Sequence, residues 1–228
     1  MSKMGLASRT RAAAMIVDGL VEVNGKPVFD PEFPVRMDID SISMDNRPAV
    51  AQPRVVIILN KPRGLVTTRQ DEKERATVYD CLPADMPWLA PVGRLDKASE
   101  GLLLMTNDPV WAASITDPAR HVPKTYHVQV AGLLDERQLA GLHAGVEGPD
   151  GVLQAVSVKV LRTGEKNTWL AFVLEEGRNR HIRRMLEALD IAVLRLIRVA
   201  IGGVVLGDLQ KGLWRRLTEA ELALLDNT

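Results

Sequence analysis

The chain has 228 residues, 46% of them hydrophobic and 25% charged, with 29 Lys and Arg balancing 29 Asp and Glu. This is the composition of a soluble globular protein with one larger domain and room for a small one, and at zero net charge any anion-binding surface must be local. A single cysteine (Cys81) excludes an internal disulfide, no apolar run approaches a membrane span, and four scattered histidines without cysteine pairs leave no metal-ligand cluster.

Ser8 is placed to cap a helix from Arg9 to Asp18 that stops at Gly19, with Ala13, Ile16 and Val17 facing inward. Leu20–Val23 and Lys26–Val28 flank Asn24-Gly25, a hairpin signal, because both residues tolerate the positive φ of a two-residue turn. Residues 1–46 form a small module, and 47–53, with Pro48 and Pro53, form a linker. Residues 54–228 form the main domain. It opens with Arg54–Leu59, a buried strand by its β-branched content, which runs into the turn-rich Asn60-Lys61-Pro62-Arg63-Gly64. Thr77–Pro83 reads as a short helix closed by proline.

Gly93-Arg94-Leu95-Asp96-Lys97-Ala98-Ser99-Glu100-Gly101 is a loop bracketed by glycines, followed by the apolar Leu102–Thr106 and the turn Asn107-Asp108. So short an apolar run between turn signals reads as a strand buried on both faces. It delivers the Asp96 carboxylate to the mouth of a rigid strand, a good place for a catalytic group. An Asp in such a loop also serves as a turn former or helix cap.

Trp111–Thr116 reads as a helix. From Tyr126 the pattern alternates, with Tyr126, Val128 and Val130 on the core face. Such a tyrosine is either a core residue or a functional one. Ala155–Leu161 alternates as a half-buried strand, and Trp169–Leu174 is apolar throughout, a central strand. The chain then turns at Glu175–Asn179 into a helix from Arg180 to Leu189. Ile182, Met185, Leu186 and Leu189 line one face of it, and Arg180, Arg183, Arg184 and Glu187 the other. Residues 178–198 hold six arginines against two acids. A merely solvated face would mix Lys and Glu, whereas clustered Arg favours phosphate or planar base contacts. Leu217–Leu222 reads as a capped terminal helix.

Gly-Arg-Leu-Asp-x-x-Ser-x-Gly-Leu-Leu-Leu-x-Thr-Asn-Asp at 93–108 resembles the signature of pseudouridine synthases, in particular the RsuA/RluB type of ribosomal RNA enzyme. Asn60-Lys61-Pro62-x-Gly64, Lys124-x-Tyr126-x-Val128, Gly177-Arg178-Asn179-Arg180-His181-Ile182-Arg183-Arg184-Met185 and Arg195–Gly202 are similar to further motifs of that family, in its order. His181 stands where Gln is more usual. The helix and Val-x-Val-Asn-Gly hairpin of residues 1–46 resemble an S4 RNA-binding domain, entered within its first helix because Met1–Ala7 are too few to complete one.

The resemblance implies an α+β protein with a mixed, largely antiparallel sheet and the site in a cleft. It implies isomerisation of uridine to pseudouridine in RNA, without cofactor or metal, by a cytoplasmic monomer whose partner is ribosomal RNA. The Thr77-Val78 to Leu82-Pro83 segment leans towards the large subunit. Asp96 would be the ionised carboxylate, either attacking covalently or stabilising a charged or glycal-like species. Arg183 would be its ion-pair partner, and Tyr126 would stack on the uracil and assist loss of the C5 proton. Leu196 would pack beneath the base. Arg94, Arg178, Arg180 and Arg184 would bind RNA, as would Arg9 and Arg11 if they are more than a solvated helix face. Lys61 is either a phosphate contact or a surface turn lysine. An inactive RNA-binding or ribosome-assembly factor on the same fold is the alternative. A small-molecule enzyme would leave the arginine face without a use.

Overall fold

The computed structural model describes residues 1–45, 47–69, 71–148 and 151–227. Asn46, the expected end of the small module, and Thr228 lie outside them.

The N-terminal part builds around one helix and a small sheet. Helix α1 (Arg9–Val17) starts where Ser8 accepts a hydrogen bond from the Arg11 amide. It ends at Asp18 and Gly19, the latter at φ 71°. Ala12 is its buried residue, while Val17, expected inside, is exposed. Strands β1 (Val21–Val23) and β2 (Lys26–Pro27) form the hairpin, with Asn24 and Gly25 at φ 53° and 73°. That is the double left-handed geometry for which Asn-Gly is suited. β3 (Ile42–Met44) and β4 (Arg47–Pro48) complete an antiparallel sheet in the order β2-β1-β3-β4. The first two residues of the expected linker therefore extend the small sheet.

The rest of the chain supplies β5 (Val56–Lys61), β6 (Ala90–Pro91), β7 (Glu100–Thr106), α2 (Pro109–Thr116), β8 (Lys124–Ala131) and α3 (Glu136–Ala144). It continues with β9 (Ser157–Thr163), β10 (Asn167–Leu174), α4 (His181–Glu187), β11 (Val193–Ile201), β12 (Val204–Val205), β13 (Trp214–Arg216) and α5 (Glu219–Asp226). Among the described residues nine strands join in one sheet, β13-β5-β7-β11-β8-β10-β9, with β12 beside β11 and β6 beside β7. Every pairing is antiparallel except β7 with β11, so the expected mixed, largely antiparallel sheet is what forms.

β7 is the centre. All seven of its residues are buried, and its alternate side chains feed two cores. Leu102 and Leu104 pack with Val56, Trp111 and Leu225 on one side, and Leu103 and Met105 with Ile57, Val78 and Leu95 on the other. Each fully buried Leu contributes about 1.5–3 kcal/mol. A third core, under α3 and α4, joins Val128, Leu170, Phe172, Met185 and Leu186. Tyr126 touches both this core and that of Leu103.

The parallel pairing of β7 with β11 lasts only two residues, Glu100 with Ile197 and Gly101 with Arg198. Gly101, at φ 100°, makes this approach feasible, because a Cβ there would lie 2.3 Å from the Arg198 carbonyl oxygen. β5 pairs with the other edge of β7 from Gly101 to Thr106, β6 joins only at Met105 and Thr106, and the chain regions around the end of the short β7–β11 ladder open into a cleft.

Candidate active site

The cleft has a volume of about 300 Å³. Its walls come from the Gly93–Ser99 loop, the start of β8, the turn before α4, α4 itself and the middle of β11. Asp96, Tyr126, Arg183, Leu196, Arg94, Arg178 and Arg180 all line it.

The loop that carries Asp96 is held along its backbone. The Thr67 hydroxyl donates to the Leu95 carbonyl at 2.7 Å, and the Leu95 amide returns a bond to it at 3.3 Å. The Gly64 amide donates to the Lys97 carbonyl, and the Ser99 amide to the Asp96 carbonyl. Leu95 is buried in the β7 core, so the side chain before Asp96 anchors the loop and Asp96 itself projects outward.

Lys61 completes this clamp. Its side chain is fully buried, and Nζ donates to the carbonyls of Pro62, Asp96 and Ser99 at 3.1, 3.2 and 2.9 Å. Three carbonyls use all three donors of an ammonium. Neither sequence reading of Lys61 holds, since it is not a surface turn residue and does not face the cleft. Burial lowers its pKa to about 8, against the opposing pull of Asp96 and Glu100.

Arg183 approaches Asp96 from the α4 side. Nε lies 3.9 Å from Asp96 Oδ2, and Nη2 donates to the Ala98 carbonyl at 3.2 Å and the Ser99 hydroxyl at 3.4 Å. The two charges therefore face each other while the guanidinium is tied to the same loop. The Asp96 side chain is 39% exposed and that of Arg183 13%, so the pair sits at the boundary between cleft and protein. Burial and the neighbouring Arg180 charge lower the Arg183 pKa, and Asp96 opposes them. Arg180, expected to begin the helix, is instead its cap residue at φ 51°, a left-handed conformation unusual for a side chain of this size. The helix is accordingly shorter than expected, with Ile182, Met185 and Leu186 buried as the spacing required.

Tyr126 and Leu196 occupy the sheet wall. Tyr126 is paired with Phe172 on β10 and Arg198 on β11, and Leu196 lies two residues along β11 from Arg198. Cross-strand partners share a face, so these side chains form one continuous surface.

The arginine cluster divides. Arg94, Arg178 and Arg180 are exposed at the rim. Arg184 is half-buried and lies outside the cleft lining, near Gly148. Arg195 forms a bidentate pair, 3.1 Å on each arm, with the buried Glu100, which Lys211 also contacts. It is thus committed within the fold rather than offered to phosphate. Arg9 and Arg11 are exposed on α1, away from the cleft.

Two inward residues were not singled out by spacing. His181 is buried in the cleft wall. Burial lowers its pKa, aided by Arg178 and Arg184 and opposed by Glu176 and a Gln154 backbone contact. Arg198 is 5% exposed and also lines the cleft. Their signal was membership of motifs read for exposed arginines; which way each pointed needed the start of α4 for His181 and the register of β11 for Arg198. Among the described residues no group of three or more His, Cys, Asp or Glu is arranged to hold a metal ion, and no helix is long and apolar enough to cross a membrane.

Known proteins resemble this chain in sequence and in fold. Residues 55–188 match the family described as RNA pseudouridylate synthase, and residues 1–38 match the S4 domain. An uncharacterised RNA pseudouridine synthase of Aquifex aeolicus is 37% identical over 99% of this chain and 91% of its own. Ribosomal large subunit pseudouridine synthase E of Vibrio parahaemolyticus is 40% identical over 75% of this chain and 78% of its own. Among solved structures, a pseudouridylate synthase is similar with a TM-score of 0.69 and 29% identity, covering 98% of this chain and 95% of the other.

Proposed function

The chain belongs to the RNA pseudouridylate synthase family, and from that premise we propose that it converts a specific uridine of large-subunit ribosomal RNA to pseudouridine, with Asp96 as the working carboxylate. The observation that carries this reading is the pairing of Asp96 with Arg183 at 3.9 Å in a cleft that also presents Tyr126 and Leu196.

The reaction moves the ribose from N1 of uracil to C5. The N1–C1′ bond breaks, the base turns, a C5–C1′ bond forms, and a proton passes from C5 to N1. A base stacked in RNA is out of reach of a carboxylate in a cleft, so the target nucleotide turns out of its stack and enters. Asp96 must be ionised to serve C1′, by bonding to it or by accepting the neighbouring C2′ proton. Arg183 faces the carboxylate at 3.9 Å, and the backbone clamp fixes where the carboxylate stands. Tyr126 stacks against the base and is placed to assist loss of the C5 proton, and Leu196 packs beneath it. Arg94, Arg178 and Arg180 at the rim hold phosphates, and Arg9 and Arg11 on the S4-like part extend the RNA contact. The relative's name supports the large-subunit substrate. The chain divides for this purpose into an RNA-binding module that runs to Pro48, a linker 49–53 and the catalytic domain 54–228, acting in the cytoplasm as a monomer.

Tritium placed at C5 of uridine in a large-subunit RNA transcript tests the reaction, since isomerisation releases it to water. The wild-type chain should release about one equivalent per modified site, and Asp96→Asn should slow release by at least about 1,000-fold while still binding the RNA. Equal release by both proteins would remove Asp96 from the mechanism, and no release from any ribosomal transcript would remove the substrate.

A further inference from the structure

Arg198 is buried to within 5% of complete, yet its guanidinium has one neutral acceptor. Nε donates to the Leu102 carbonyl at 2.7 Å, whereas Nη2 is buried without a hydrogen-bond partner among the described residues. Nor does any carboxylate among them form an ion pair with it, in contrast to Arg183 with Asp96 and Arg195 with Glu100. A buried cation with one neutral partner is costly, and in a folded protein such a group calls for an explanation.

Its surroundings supply one. The Leu102 carbonyl lies just past the two-residue parallel ladder of β7 and β11, so the bond fixes the guanidinium in the gap there. Arg198 is the cross-strand partner of Tyr126 and shares the cleft wall with Leu196. Its charge is felt by Lys124 on β8, whose pKa is lowered by burial and then by Arg198. Lys124 and Arg198 thus bring two cations to this part of the cleft wall.

A phosphate is a poor candidate for the missing partner. Phosphates belong to the continuous backbone, and the exposed Arg94, Arg178 and Arg180 already stand at the rim. The deepest part of an entering nucleotide is its base. Resting on the proposed pseudouridine synthase reaction, we infer that Arg198 is a further catalytic residue, whose guanidinium, under-bonded in the cleft wall, hydrogen-bonds a carbonyl oxygen of the uracil and stabilises the anion that leaves when the N1–C1′ bond breaks.

The electron pair of that bond goes to N1 and spreads over O2 and O4. The sugar's deficit is met by Asp96, through a bond to C1′ or uptake of the C2′ proton. As C5 bonds to C1′, the Asp96 bond is broken or the C2′ proton returned. C5 then loses its proton and N1 gains one, so nothing is consumed. A prepositioned donor aimed at charge that develops only during the reaction gives the largest benefit in a site from which water is excluded.

The test uses leaving-group chemistry. Fluorine at C5 makes uracil a better leaving group that needs less help. Wild type, Arg198→Met and Arg198→Lys are compared in single turnovers on large-subunit transcripts made with uridine or 5-fluorouridine, following loss of the target nucleoside by digestion and chromatography. Arg198→Met should slow the uridine reaction by about 100-fold or more and the 5-fluorouridine reaction by at least tenfold less, with RNA affinity changed by less than about threefold. Arg198→Lys keeps the charge but not the fork, and should show the same asymmetry with a smaller loss. It decides the matter if circular dichroism shows that Arg198→Met does not fold. Equal losses on both substrates, or a loss confined to affinity, would overturn the inference while leaving the isomerase reading intact. A wild-type protein inactive on both transcripts would instead overturn the reaction on which the inference rests.

Discussion

The inner wall of the cleft and its outer surface use arginine differently. Inside, Arg183 and Arg198 are largely buried, and each is fixed by bonds to the backbone of the segment that carries Asp96 or follows it. Outside, Arg94, Arg178, Arg180, Arg9 and Arg11 are exposed. A buried, fixed guanidinium meets little screening and can act on one atom of a substrate. An exposed one is screened within about 10 Å by salt, so it contributes affinity and steering more than chemistry. The comparison predicts that inner substitutions change the rate and outer ones change binding.

The sharpest break would come at Arg183. Arg183→Met should lower kcat by about 1,000-fold with a KM within about threefold of wild type, measured by tritium release. A KM effect alone would move Arg183 to the outer group.

Lys61 belongs to the inner region through its role in holding the Asp96 loop. Lys61→Met leaves three carbonyls without their ammonium and should destabilise the fold by about 2–4 kcal/mol in urea denaturation at pH 7. The pH dependence has a definite sign. With its folded pKa lowered to about 8 and an unfolded value near 10.4, the folded state binds fewer protons between those limits. The contribution of Lys61 to stability should therefore rise with pH across that window. It should be flat below about pH 8, and the rise should be absent in Lys61→Met. A falling contribution would contradict the burial seen here.

At the rim, Arg178→Ala with Arg180→Ala should raise KM by about tenfold at unchanged kcat and make RNA binding less salt-dependent by about one to two in logarithmic slope. On α1, Arg9→Ala with Arg11→Ala should weaken RNA binding by about threefold, the smallest effect, seen in filter binding at low salt.

How much of this was legible in the sequence follows the same division between local and distant. β7, β5 and the Asn24-Gly25 hairpin could be read because two-sided burial and turn chemistry are written in consecutive residues. α3 was missed although Asp135 and Gln138 form a capping box and Gly145 stops the helix; its sequence announced its start well enough. β3, β4 and β13 are two or three residues long, too short for an alternating pattern. At the site, Asp96, Tyr126, Arg183 and Leu196 were named from motifs and do converge on one cleft. Lys61, Arg195 and Arg198 were misplaced or left undivided because their partners are distant in the chain. Asp96 lies 35 residues from Lys61, Glu100 95 from Arg195, and Leu102 96 from Arg198. Only the pairing of β5, β7 and β11 brings them together.

Every role assigned above rests on Asp96 carrying out uridine isomerisation in large-subunit ribosomal RNA. The direct measurement is pseudouridine mapping across ribosomal RNA in cells that lack this gene, and again after return of the wild-type chain or Asp96→Asn. One site or a short cluster should disappear on deletion, reappear with wild type and stay absent with Asp96→Asn. Restoration of the modification by Asp96→Asn would contradict the account at its centre.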